Sequence, residues 1–115
     1  MPNIYAILEE SAKKDFPKIP SGVVSKIVRE VVEETENTCY ERLANGLTFD
    51  TNSILKFLKE RYNIEGDSEY IKNAFKKLNK EKKNPTEKEK LSLAIGIIGM
   101  FKMDADLIRY QIGEQ

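Results

Sequence analysis

An all-α domain is the fold class this chain predicts, on three observations. Apolar residues in Val23-Val24-Ser25-Lys26-Ile27-Val28-Arg29-Glu30-Val31-Val32 recur two on and two off, which is the helical period and not strand alternation. Valine and isoleucine favour strands when judged singly, so their helical spacing means that packing has overridden propensity. Helix boundaries of recognisable chemistry recur at Asp50-Thr51, Gly66-Asp67-Ser68 and Asn84-Pro85-Thr86-Glu87. Finally, 115 residues suffice for one core and not two, with no internal repeat, low-complexity linker or long loop. The expectation is a single domain over residues 1–115, a compact bundle of five to six helices with central helices near 21–45 and 85–101.

Each element follows from local patterning. A first helix over about Asn3 to Lys14 puts Ile4, Tyr5, Leu8 and Ala12 on one side, and Glu9–Lys13 and Glu10–Lys14 pair at i, i+4. Phe16-Pro17-Lys18-Ile19-Pro20 ends it, because proline lacks a donor and biases the preceding residue away from α. Ser21 is the expected N-cap of the second helix. Its stripe continues through Thr35, Thr38, Cys39 and Leu43, an arc of about half the circumference and wider than a surface helix needs. Asn45-Gly46 is a left-handed stop, and a break near Glu36-Asn37 is an open alternative to one continuous rod.

Asp50 or Thr51 caps a third helix with Ile54, Leu55, Leu58 and Tyr62 inward. The fourth turns Tyr70, Ile71, Ala74, Phe75 and Leu78 inward at the same spacing. Asn84 as N-cap, Pro85 at the first position and Glu87 reaching back start a fifth helix that is apolar nearly all round to Phe101. Gly96 and Gly99 each cost about 1 kcal/mol relative to alanine, which makes sense where another helix crosses closely. Asp104 is expected to cap a short sixth helix carrying Leu107, Ile108 and Ile112.

Composition removes several functions. The chain has no histidine, so Ser-His-Asp and Cys-His catalysis and histidine-containing zinc or di-iron sites are excluded. Catalysis would rest on carboxylates, lysines or tyrosines alone, and the expectation is a protein that is not an enzyme, with no catalytic residue, cofactor or metal. The glutamates at 30, 33, 34, 36 and 41 read as a solvated helix face, with Lys26 and Arg29 placed to pair at i+4. Phe49-Asp50-Thr51-Asn52-Ser53 lacks the glycine and terminal glutamate of a calcium loop. The six glycines are isolated and form no phosphate loop.

The single cysteine, Cys39, excludes an intramolecular disulfide and lies on the buried stripe, so it reads as a core thiol in a reducing compartment. The start of the chain shows no signal-peptide pattern, and the longest apolar run, Leu91 to Phe101, is too short to span a bilayer. A cytoplasmic protein is expected, with no membrane partner. Arg42 projects to the centre of the apolar arc, where either the helix bends before it or the guanidinium satisfies helix-terminal carbonyls or a buried acid.

Two surfaces remain. Formal charge is zero overall, yet residues 72–90 hold eight lysines against three acids, a net of +5, while residues 1–50 carry −3. Lys72, Asn73, Lys76, Lys77, Lys80 and Lys83 surround the outer face of the fourth helix and could neutralise phosphates. Ile54-Leu55-Lys56-Phe57-Leu58-Lys59 through Ile71-Lys72-Asn73-Ala74-Phe75-Lys76-Lys77-Leu78 resembles the second and third helices of linker-histone-type winged-helix domains, a likeness of about thirty residues. Where the wing strands would follow, this chain starts a helix at Asn84-Pro85-Thr86-Glu87, so the function is not carried over. Phe101 to Arg109 is similar to the turn and second helix of helix-turn-helix units, but its outward Asp104 and Asp106 would repel phosphates.

The second surface is aromatic. Tyr40, Phe57 and Tyr110 fall off the buried stripes and are candidate protein-interface residues, the alternative role being to cover neighbouring helices. The leading expectation is therefore a non-catalytic regulator that binds another protein, of the inhibitor, immunity or adaptor type. A DNA-binding regulator using the lysine face is the alternative, and a homodimer is compatible with either.

Overall fold

The structure, a computed structural model, describes residues 3–113. Five helices follow one another, α1 (Ile4–Asp15), α2 (Ser21–Ala44), α3 (Thr51–Tyr62), α4 (Ser68–Glu81) and α5 (Glu87–Gly113), with no strand among the described residues. The wing strands of a winged-helix domain are thus missing from the segment that resembled one.

The valine stripe produces α2 as one unbroken rod of 24 residues, without the break considered at Glu36-Asn37. Its end is a Schellman motif. Gly46 sits at φ +75°, its N–H donates to the Leu43 carbonyl, and the Leu47 N–H donates to the Arg42 carbonyl. The Arg42 guanidinium lies 5.7 Å from the centre of the Phe49 ring, a cation–π contact that accounts for its place on the apolar arc. At the other end Ser21 is not the cap. Pro20 occupies that position, and its carbonyl accepts from Val23 and Val24, because the ring-fixed extended backbone of proline already turns the chain into the helix.

Capping chemistry sets the remaining boundaries. Asp50 accepts from the Ser53 backbone at 2.7 Å while the Asp50 N–H donates to Ser53 Oγ, a reciprocal box that starts α3. Asp67 caps α4 through the Tyr70 N–H. The start of α5 lies two residues later than the sequence predicts. Thr86 and Glu89 form the box, with bonds of 3.1 Å each way, so Asn84 and Pro85 stay in the loop. Lys82 closes this corner 2.7 Å from Glu89, and that contact with the Thr86 bonds pulls the Glu89 carboxyl down to about 2.

No sixth helix forms among the described residues. The expected corner at Phe101–Arg109 lies inside α5, which runs for 27 residues, roughly 40 Å, against a long dimension of 45 Å for the molecule. Alternative partners explain the continuity. Met103 and Leu107 are fully buried against α1 and α2, so the packed face persists past Phe101 and holds the backbone helical.

α5 is the hub. α2 packs along it most extensively, α1 lies on both α2 and α5, and α3 and α4 pack on each other and on α5. The backbones of α2 and α4 do not approach one another. Two buried clusters result where one was expected. Cys39, Ile54, Leu58, Ile71 and Ile98 centre the first, and Val24, Val28, Val32, Met103 and Leu107 the second, with α5 passing through both. Gly99 is the close approach that its sequence cost implied, since a Cβ there would stand 3.3 Å from Leu8 Cδ1.

Continuing the helix through Asp104 leaves a polar atom stranded. Its Oδ1 is buried without a partner among the described residues, as is the hydroxyl of Thr35 in α2. Burial, then the nearby Asp15 carboxylate, push the Asp104 carboxyl above its ordinary range. The native state therefore holds this proton more tightly than the unfolded chain does. The penalty is absent below the unfolded-state value and grows as pH rises through the raised one. Asp104→Asn is expected to raise stability at pH 7 by about 1 kcal/mol and to have little effect near pH 3. Thermal unfolding at the two pH values checks it, and an equal shift at both would refute the cause given.

Candidate functional site

Packing four helices around α5 covers most of its circumference but not all. A groove of ≈ 540 Å³ runs along the side where α1 and α2 stand on one bank and α4 on the other. The floor is α5, with the small Ser92 and Gly96 between Leu93, Ile97 and Met100. Nothing stands over Gly96 more closely than Ile4 Cδ1, which a Cβ would meet at 3.8 Å. Ile4 and Ile7 of α1 and Tyr40 of α2 build the first bank, and Tyr70 and Ala74 of α4 the second.

Three large apolar side chains on these banks face solvent: Ile7 is 50%, Tyr40 55% and Tyr70 46% exposed. Exposed apolar residues scattered singly carry no meaning, but a contiguous set around a concave apolar floor marks an interaction site. Tyr70 is held in place. Its ring meets Phe101 edge-on at 6.0 Å and its hydroxyl donates to Met100 Sδ at 3.5 Å.

Charge is segregated across the groove. Glu36 is the one charged side chain in its lining, and with Glu33 it stands close enough to Tyr5 that, after burial, these two carboxylates push the Tyr5 hydroxyl upward. On the opposite bank Tyr70 and Ala74 line the groove, and Lys77 follows beyond the lining on the same face of α4, the three spaced i, i+4 and i+7. Beyond Lys77, all of Lys72, Asn73, Lys76, Lys80 and Lys83 are exposed, as the sequence predicts. No acid lies within ion-pair distance of these five lysines among the described residues. Asn73, Lys76, Lys77, Asn79 and Lys80 line a shallow open depression of ≈ 660 Å³.

The aromatic candidates separate. Tyr40 stands in the groove, exposed. Phe57 does not face solvent: it is buried in the first cluster, edge-on to Tyr62 at 5.7 Å and covered by the Arg61 guanidinium at 6.0 Å. α3 packs against both α4 and α5, so its buried arc is wide enough to include Ile54, Phe57 and Leu58 together. Tyr110 is half-buried against the second cluster. Conversely, Tyr70 was expected inward and stands exposed, and Ile7 was missed. Its signal was present, because Ile4, Ile7 and Leu8 repeat at i, i+3 and i+4 on a helix whose far side needs no second apolar row.

Cys39 is a core thiol, fully enclosed, and burial pushes it up to about 12, which disfavours the nucleophilic thiolate. No group of three or more acidic or cysteine side chains among the described residues could hold a metal ion. None of the helices is long and apolar enough to cross a membrane. The class of molecule so defined is an all-helical bundle with a long central helix and an uncovered apolar groove. No family model, curated protein or solved structure matches the chain.

Proposed function

We propose that this chain is a non-catalytic binding protein, an inhibitor, immunity-type protein or adaptor, whose partner protein docks on the groove between α1 and α4. One observation carries the reading. Ile7, Tyr40 and Tyr70 surround a single apolar groove, where tyrosine supplies the anchor chemistry common to binding hot spots. Apart from Glu36 the lining offers no charged group for acid–base chemistry, which fits binding better than turnover. The same reading places the protein in the cytoplasm, where reducing conditions suit a lone buried thiol.

The test is capture of a partner from the native host by the wild-type chain and by a Tyr40→Glu, Tyr70→Glu double variant. Both side chains are about half exposed, so the variant is expected to keep its helical content, with a modest fall in melting temperature from the lost Phe101 and Met100 contacts of Tyr70. It is expected to bind the stoichiometric partner at least a hundredfold more weakly, since two hot-spot residues are lost and carboxylates enter an apolar contact. Unchanged capture would overturn the assignment of the groove.

A second reading is favoured by the unpaired lysines. A DNA-binding regulator would lay α4 against phosphates, with Lys72, Lys76 and Lys80 at i, i+4 and i+8, rising about 6 Å per step. Fluorescent duplex DNA should then bind at moderate salt and be released by reversing those three charges. The absence of any binding at low salt would remove it.

A further inference from the structure

We propose that the occupant of the groove is one amphipathic helix of the partner, laid along α5 with a basic edge against Glu36 and an acidic edge against Lys77. This deepens the docking reading above and rests on it.

Hydrogen bonding selects a helix. An extended segment pressed onto this floor would bring backbone N–H and C=O groups against apolar side chains, and the described residues hold no strand edge to pair with them. Each unpaired group costs about 1–3 kcal/mol, whereas a helix satisfies its own backbone before it arrives. The floor also fits. From Ser92 to Met100 it spans nine residues, roughly 12 Å, or two turns that take anchors at i, i+3, i+4 and i+7. Gly96 at its middle carries no side chain, so a visiting helix comes close there.

Charge selects the edges. Glu36 lines the α2 bank, while Lys77 lies outside the lining, one turn past Ala74 on the same face of α4. Since the backbones of α2 and α4 do not approach one another, the two charges stand on opposite sides of the apolar floor. A helix with two basic edges meets repulsion at Lys77, and one with two acidic edges meets it at Glu36. Turning a mixed helix end for end exchanges its edges. Opposite banks therefore set the direction of the bound helix as well as its composition.

A displayed library of 18-residue random peptides, selected on the whole chain, tests this. The expected winners share an apolar i, i+3, i+4, i+7 stripe with Lys or Arg along one edge and Asp or Glu along the other, and gain helical circular dichroism on binding. Glu36→Lys should weaken them about tenfold, with recovery when the peptide's basic edge is changed to acidic. Lys77→Glu, at an exposed position, should do the same for the acidic edge. Winners without helical spacing, or binding indifferent to both reversals, would overturn the proposal. So would a library without winners in a protein whose Tyr40→Glu, Tyr70→Glu variant still loses its host partner, but that result leaves the docking reading standing. If the double variant retained the partner, docking in the groove would itself fall.

Discussion

Ile98→Ala is expected to lower the stability of the fold by about 3 kcal/mol, the largest effect of any single truncation considered. Ile98 has no exposed surface and sits in α5 within the cluster formed with Leu58, Ile71 and Cys39. Truncation removes three carbons from a site walled by several helices, so the surroundings cannot close over the void and a cavity term adds to the transfer term. A domain of this size is stabilised by roughly 5–15 kcal/mol in total, so the variant stays folded but with a large fraction of its margin gone. Urea unfolding should show a lower midpoint with an unchanged slope. Ile112→Ala, 66% exposed on the same helix, should fall within about 0.5 kcal/mol of wild type. A loss below 1 kcal/mol at Ile98 would mean that α5 is not enclosed at its centre.

Gly99→Val is expected to cost about 2 kcal/mol and to act on one element in particular. A single carbon at Gly99 would come to 3.3 Å from Leu8 Cδ1 and 3.9 Å from Val31 Cγ1, a contact that a small shift of the leucine tip absorbs. Valine adds two further carbons on a branched, rotamer-restricted side chain, and these have nowhere to go but against α1. α1 is then pushed from its seat on α2 and α5. Hydrogen exchange should show faster opening of the α1 amides with α3 and α4 nearly unchanged. Since α1 carries Ile7 into the groove, partner affinity should fall too, although the substituted residue never touches the partner. Equal loss of protection in all five helices would contradict this local account.

These two sites show how unevenly the molecule could be read in advance. The helical rods at 21–44 and around Leu91 to Phe101 follow from spacing alone, since a neighbour three or four residues away is fixed by the helix itself. Asp50, Asp67 and the Asn45-Gly46 stop were legible for the same reason: a cap bonds within its own turn. Prediction failed where the decision was long-range. Asp104 has cap chemistry, yet Met103 and Leu107 beside it are buried against α1 and α2, and that packing carries α5 straight through. Ser21 and Asn84 have it also, and lost to proline geometry at Pro20 and to the Thr86–Glu89 box with its Lys82 contact.

The groove was the least visible feature. Tyr40 was found because it lies far off its stripe, but Phe57 was placed outside and Tyr70 inside, and both positions are reversed in the structure. By itself the chain determined its class, its two central helices, its one buried thiol and its basic outer face on α4, all consequences of residue order within a few turns. Only the tertiary arrangement decided which apolar faces found a cover and which did not. A helix face carries its hydrophobicity in the sequence, whereas its burial depends on where helices distant along the chain come to rest.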